Sequence, residues 1–189
     1  MGKEKGPEFY TGKGYLKEGA FEHNMAIYEE AIKLLPSLSK YNKIIELGCG
    51  IGYFALLVKK YKYIGIDFSV EVIKKARYIN PTKVFIVENL LSKTLYKELY
   101  TNDCIYVCLE VLEHIDNDID VIKSIPSGSP IIISVPNRDY DSHVRYYKNQ
   151  RVIIERYQEF IDFHKCKWTI IETNPKKGAK VFMFRARRK

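Results

Sequence analysis

Three glycines alternate with other residues in Glu46-Leu-Gly48-Cys-Gly50-Ile-Gly52, directly after the apolar run from Lys43 to Leu47. Glycine lets the backbone turn tightly and lets a ligand lie against the main chain without a Cβ clash. Asp67 ends the next apolar run, about 20 residues further on, where a carboxylate can accept hydrogen bonds from both hydroxyls of a ribose. A glycine-rich turn followed by such an acid points to a ligand containing a nucleoside; the plain alternative is a tight turn with an acid on the surface. The second polar group is the string Glu110-Val-Leu-Glu113-His114, with His143 further along. If the chain turns helically there, Glu110, Glu113 and His114 come together as three potential metal ligands, and His143 adds a fourth from a later loop. Oxygen-rich ligation with one or two imidazoles suits Mg²⁺ or Mn²⁺ better than a structural zinc. His114 and His143 are also the candidates for a general base, because an unperturbed imidazole titrates close to neutral pH.

These residues need strand ends and turns to hold them. Tyr28, Ala31, Ile32 and Leu35 recur at helical spacing, so a helix is expected from His23 to Leu35, stopped by Pro36. A strand over Lys43–Leu47 leads into the glycine turn, and a helix follows from Tyr53 to about Tyr61. The next strand is Tyr63–Asp67, then a helix capped by Ser69 and ended before Pro81. Lys83–Val87 reads as a strand, Ser92–Tyr100 as a helix, Cys104–Glu110 as a strand, Asn117–Ser124 as a short helix and Pro130–Val135 as a strand. A helix is expected from about Asn149 to Phe163, followed by strands Trp168–Glu172 and Val181–Arg185 around the turn Asn174-Pro-Lys-Lys-Gly178. The alternation predicts an α/β fold, a doubly wound, mostly parallel seven-stranded sheet with an antiparallel pair at its C-terminal edge. Strands that are apolar throughout agree, because parallel strands are covered on both faces.

At 189 residues the chain fits one domain, with residues 1–40 as a helical cap segment and 41–189 as the core. It is 46% hydrophobic and 29% charged, as soluble globular proteins are. Apolar runs such as Ile131–Val135 are strand-length, which argues against membrane insertion, and the polar start lacks the apolar stretch of a signal peptide. Cys49, Cys104, Cys108 and Cys166 form no CxxC pair, and Cys104 and Cys108 read as buried, inert thiols. The expectation is a cytoplasmic, reduced protein. A net charge of +8 leans toward an anionic partner. Lys148–Arg156 and Lys176–Lys189 are the denser clusters; a solvated face is the first reading and nucleic acid the second, unsupported by any RNA-binding motif.

The glycine turn and Asp67 alone do not separate a nicotinamide dinucleotide from S-adenosylmethionine (SAM). The E-x-G-x-G-x-G spacing of Glu46 to Gly52 resembles the first motif of class I SAM-dependent methyltransferases, whereas dinucleotide dehydrogenases favour G-x-G-x-x-G. Cys108-Leu-Glu-Val-Leu-Glu-His114-Ile is similar to that family's segment after the fourth strand, as in ubiquinone-biosynthesis O-methyltransferases. Ser134-Val-Pro-Asn137 with His143-Val-Arg145-Tyr146-Tyr147 resembles the stretch after strand five. The resemblance runs from about Ile44 to the C-terminus. It implies that Gly48, Gly50 and Gly52 approach the methionine part of SAM with Glu46 supporting the loop. By the same resemblance Asp67 holds the ribose, Phe68 packs on the adenine, and Leu109 lies against the methionine. The family's acid at the end of strand three is replaced here by Asn89, with Glu88 beside it; an amide oxygen can still accept from the adenine amino group. Tyr10, Tyr15, Tyr146 and Tyr147 are candidates to line an acceptor pocket, with core packing an equal alternative for Tyr146 and Tyr147; Tyr28 and Tyr61 read as ordinary packing. Arg145 is placed either on an anionic substrate or on a nearby carboxylate. The implied activity is methyl transfer to an oxygen or nitrogen of a small or anionic acceptor. The alternatives are a metal-assisted RNA 2′-O-methyltransferase, resembled through the E-x-x-E-H string, a SAM-binding partner subunit without catalysis, and a nicotinamide-dependent oxidoreductase.

Overall fold

Cys104–Leu109 and Pro130–Pro136 are buried along their whole length, which only strands covered on both faces achieve. The computed structural model describes residues 2–11, 19–99 and 101–189. Its strands are β1 Lys43–Leu47, β2 Lys62–Asp67, β3 Val84–Val87, β4 Cys104–Leu109, β5 Pro130–Pro136, β6 Ile161–Asn174 and β7 Ala179–Arg188. They form one seven-stranded sheet in the order β3-β2-β1-β4-β5-β7-β6, parallel from β3 through β5, with β7 antiparallel to both β5 and β6. The helices are α1 Gly19–Leu34, α2 Tyr53–Leu57, α3 Val70–Ile79, α4 Lys93–Leu99, α5 Asp118–Ser124 and α6 Gln150–Tyr157.

Successive strand residues serve opposite faces. Ile44, Ile105 and Ile132 pack with Ile27 and Ala31 of α1, Phe54 and Ala55 of α2, and Ile73 and Ala76 of α3. Ile45, Tyr106 and Ile131 pack with Tyr96 of α4, Val121 and Ile122 of α5, and Ile153 and Tyr157 of α6. Each fully buried aliphatic contributes roughly 1.5–3 kcal/mol of transfer free energy, so the two layers hold the strand ends firmly in register. Strand order reverses between β1 and β4, the place where an open α/β sheet leaves a crevice at its carboxyl ends.

Several boundaries differ from expectation. Within α1 the buried positions are Ile27, Ala31 and Leu34, while Ile32 faces solvent. The second helix stops at Leu57 instead of Tyr61, because Val58 leaves helical geometry and Tyr61 N–H closes a turn on its carbonyl. The largest departure is at the end. α6 stops at Tyr157, and Ile161–Phe163, expected as helix, begin a long edge strand in which Ile161 pairs with Arg188 and Asp162 with Arg187. Ser69 caps α3 as expected, accepting from Val72 N–H at 3.4 Å. All four cysteines are free thiols, three of them buried. No helix of the described residues is long and apolar enough to cross a membrane.

Candidate active site

A cavity of about 790 Å³ opens over the carboxyl ends of β1, β2 and β4. Its volume lies within the roughly 300–1,000 Å³ typical of small-ligand sites. Gly48 and Gly50 line it, both at positive φ (73° and 52°). A Cβ on Gly50 would point into open space, so the main chain there is bare toward the cavity. A Cβ on Gly48 would collide with Val111, which shows how closely the turn after β1 approaches the turn after β4. Gly52 behaves differently from the expectation. Outside the cavity lining, it has φ 78°, and a Cβ would meet the Phe85 ring at 2.8 Å and Asn80 at 3.0 Å. Its small size serves helix-to-sheet packing, not ligand approach.

Asp67 is fastened from both sides: Gly50 N–H donates to Oδ2 at 3.2 Å and Ser69 N–H to Oδ1 at 3.0 Å. Burial raises its carboxyl above the usual range, and these backbone donors oppose the rise. The carboxylate is thereby oriented with acceptor capacity left toward the cavity. Glu46 lies beneath, 4% exposed, accepting a short hydrogen bond from the Tyr63 hydroxyl. Desolvation pushes its carboxyl up to about 8, so it is mostly a neutral acid at pH 7. Phe68, Asn89 and Leu109 all line the cavity as expected. The Asn89 Oδ1 already accepts from Leu91 N–H at 2.9 Å, which fixes the amide and leaves one lone pair. Leu90, not singled out from the sequence, lines the cavity beside it.

After β4 the chain takes a sharp bend. Glu110 has φ 55°, rare for a residue with a Cβ, and Leu112–His114 form a single 3₁₀ turn. The bend delivers Glu113 and His114 toward His143: one ligand atom from each lies within 4.8 Å of the others. The Glu113 carboxylate is fully buried and neither oxygen has a hydrogen-bond partner. Both imidazoles are oriented through Nδ1, which lies 2.9 Å from the Ser142 carbonyl in His114 and 3.0 Å from the Arg138 carbonyl in His143. A carbonyl can only accept, so each Nδ1 carries the proton and each Nε2 keeps a lone pair. That is the arrangement by which proteins prepare histidines as metal ligands. Glu110, expected as a fourth ligand, stands outside this group: its Oε1 accepts from the Ser134 hydroxyl at 2.8 Å. Desolvation pushes Glu110 up to about 7 and raises Glu113 well above its ordinary value, with Glu110 adding like-charge repulsion. His114 is pushed down to about 4 by desolvation, and burial also lowers His143. At pH 7 His114 is therefore a neutral imidazole and a poor proton acceptor.

The other aromatic and cationic candidates divide. Tyr10 lines the cavity and sets its ring edge-on to both Phe68 (5.6 Å) and His114 (5.9 Å), bridging the two halves of the site. Tyr15 lies outside the described residues. Tyr147 is core, fully buried with its hydroxyl 2.5 Å from that of Tyr157, and Tyr146 does not line the cavity. Arg145 donates to the carbonyls of Leu112, Ile115 and Asp116 and lies 3.5 Å from Asp118, so it clamps the turn that carries Glu113 and His114. Tyr28, read as core packing, faces the cavity from α1; Arg138 and Lys180 also line it. Nothing in their spacing distinguishes these three, since chain segments far apart in sequence bring them together.

Fold and site together define a nucleotide-cofactor α/β enzyme whose glycine turn, Asp67 and post-β4 segment share one cavity. A methyltransferase-domain family model matches residues 21–167, and the chain belongs to that family. It is a class I SAM-dependent methyltransferase. No curated protein matches it. Solved structures with the same fold include a possible histamine N-methyltransferase of Thermotoga maritima (15% identity, 96% of this chain and 98% of that one, TM-score 0.72). The N-methyltransferase NodS of Bradyrhizobium japonicum with S-adenosylhomocysteine shares 17% identity over 92% and 90% of the two chains, with TM-score 0.61. The geranyl diphosphate C-methyltransferase of Streptomyces coelicolor, with Mg²⁺, geranyl diphosphate and S-adenosylhomocysteine, shares 11% over 88% and 81%, with TM-score 0.64.

Proposed function

We propose that this enzyme methylates an oxygen of a small acceptor, with a divalent metal ion held by Glu113, His114 and His143. SAM supplies a methyl group already activated on a sulfonium, so the protein's work is to hold the acceptor atom in line at near-contact distance. Gly48, Gly50, Asp67, Phe68, Asn89 and Leu109 serve as the cofactor's bed, and Glu46 supports the glycine turn. The metal reading rests on one observation: a buried carboxylate with two unpartnered oxygens beside two imidazoles whose Nε2 lone pairs are free. An orphaned buried carboxylate costs free energy unless a cation meets it. A divalent ion there would polarise an acceptor hydroxyl, which favours oxygen over nitrogen as the methylated atom. Two nitrogen donors and one oxygen favour Mn²⁺ over Mg²⁺. With both imidazoles protonated at Nδ1 and holding the ion through Nε2, neither has a lone pair left for the acceptor proton, which passes to solvent.

Calorimetric titration of Mn²⁺ into the metal-free enzyme tests this. One site per chain is expected, at least about tenfold tighter than Mg²⁺ and lost in Glu113→Gln, with turnover abolished by EDTA and restored by Mn²⁺. Equal Mn²⁺ binding by Glu113→Gln, or full turnover in EDTA, would remove the metal from the mechanism.

A further inference from the structure

We infer that Arg138 forms an oxyanion subsite beside the metal ligands, and that the acceptor is a small molecule carrying a carboxylate or phosphate. The inference rests on the methyltransferase reading above and names its substrate class. Arg138 is half-buried and lines the cavity. Among the described residues its guanidinium has no hydrogen-bond or ion-pair partner. Most other arginines of this chain are spent: Arg145, Arg185, Arg187 and Arg188 on backbone carbonyls, Arg156 on Asp118. A guanidinium left free within a cavity is a planar fork that matches a carboxylate or phosphate bidentately.

Its position is fixed relative to the reaction centre. The Arg138 carbonyl accepts from His143 Nδ1–H at 3.0 Å, so the same residue orients a metal ligand and presents the free cation. Neighbouring Asn137 docks the β6–β7 hairpin with three bonds. Its N–H donates to the Lys180 carbonyl (2.9 Å), its Oδ1 accepts from Lys180 N–H (2.7 Å), and its Nδ2 donates to the Gly178 carbonyl (3.0 Å). Lys180 is thereby held beside Arg138 on the cavity wall. Its ammonium is only loosely engaged, 3.7 Å from Glu172 with both side chains largely exposed, and is free to join an anion at little cost. Both cationic residues line the same cavity as His143, and Asn137 ties their backbones together.

The test is titration of phenyl phosphate, benzoate and benzyl alcohol into the full chain saturated with S-adenosylhomocysteine. Wild type, Arg138→Gln and Arg138→Lys are compared. The two anions should bind at least about tenfold tighter than benzyl alcohol, with the preference lost in Arg138→Gln and partly kept in Arg138→Lys. The tighter anion tells phosphate from carboxylate. Equal binding of benzyl alcohol, or unchanged anion affinity in Arg138→Gln, overturns the subsite. A matching loss of S-adenosylhomocysteine affinity in that variant overturns it as well, by giving the guanidinium to the cofactor's own carboxylate. So does binding of a short oligoribonucleotide when neither anion binds. Failure of the wild type to bind S-adenosylhomocysteine would instead sink the underlying cofactor reading.

Discussion

Asp67 illustrates how a single side chain can be both built and builder. Its two oxygens organise the glycine turn through Gly50 and the α3 cap through Ser69, and its remaining lone pairs face the cavity that the proposed function gives to the cofactor. Asp67→Ala should weaken S-adenosylhomocysteine binding by about 1–3 kcal/mol, the cost of partners left unmatched in a buried site. Calorimetry giving wild-type affinity would refute the ribose assignment. The placement of this acid at the cavity was legible in the sequence because it depends on a strand end and a nearby turn, both written in a few consecutive residues. The same holds for Gly50 and for the Glu113–His114 pair. Glu110 was misjudged as a ligand because a left-handed φ after the strand, which spacing does not report, turns its carboxylate onto Ser134. Gly52 was assigned to the ligand because a glycine motif does not say which Cβ would strike protein and which would strike cofactor.

The turn after β4 is short and strained, and what fixes it comes from other elements. Asp118, fully buried at the start of α5, accepts from Arg156 of α6 at 2.5 and 2.8 Å and from the Tyr157 hydroxyl at 2.6 Å. Arg145 lies 3.5 Å from the same carboxylate while clamping the Leu112, Ile115 and Asp116 carbonyls. Asp118→Asn breaks the charge balance of this network and should destabilise the fold by roughly 3–5 kcal/mol. It should also weaken Mn²⁺ binding, since the 3₁₀ turn bearing Glu113 and His114 loses its anchor. Denaturant unfolding and Mn²⁺ titration check the two effects, and intact metal affinity in a destabilised variant would limit the network to stability. The sequence left Arg145 open between a substrate and a nearby carboxylate, and Tyr147 between pocket and core; Asp118 and the α6 packing decide both, because their partners lie on α5 and α6. The overrun of α6 has a similar cause. Ile161, Asp162 and Phe163 continue an apolar helical stripe with no Gly or Pro to stop it, and pairing with β7 claims them as strand.

Over the whole molecule, the basic balance does less than its size suggests. Arg185, Arg187 and Arg188 tie the C-terminal strand to carbonyls of Leu34, Gly128 and Ile122, and Arg151 pairs with Glu155, so both dense clusters are partly committed to the fold. The buried acids shape the metal-free protein more. Glu46 rises to about 8, Glu110 to about 7 and Glu113 well above its ordinary value, so the folded state keeps protons that the unfolded chain releases above its ordinary carboxylate range near 4.5. Where the native state binds more protons, stability falls as pH rises. His114, lowered to about 4, and His143, also lowered, have the opposite sign: they lose stability as pH drops through 6.5, and their slope fades over about a unit above it. Between pH 6.5 and 8 the acids outweigh the fading contribution of the two histidines, so thermal stability of the metal-free, cofactor-free enzyme should decline. Each proton accounts for at most about 1.4 kcal/mol per pH unit. Glu46→Gln keeps an oxygen to accept from Tyr63 and removes the titration, so its calorimetric transition should drop less than the wild type's across that interval. Parallel declines in the two proteins would mean that Glu46 is ionised in the fold at neutral pH, and that the cavity floor beneath the glycine turn carries a charge.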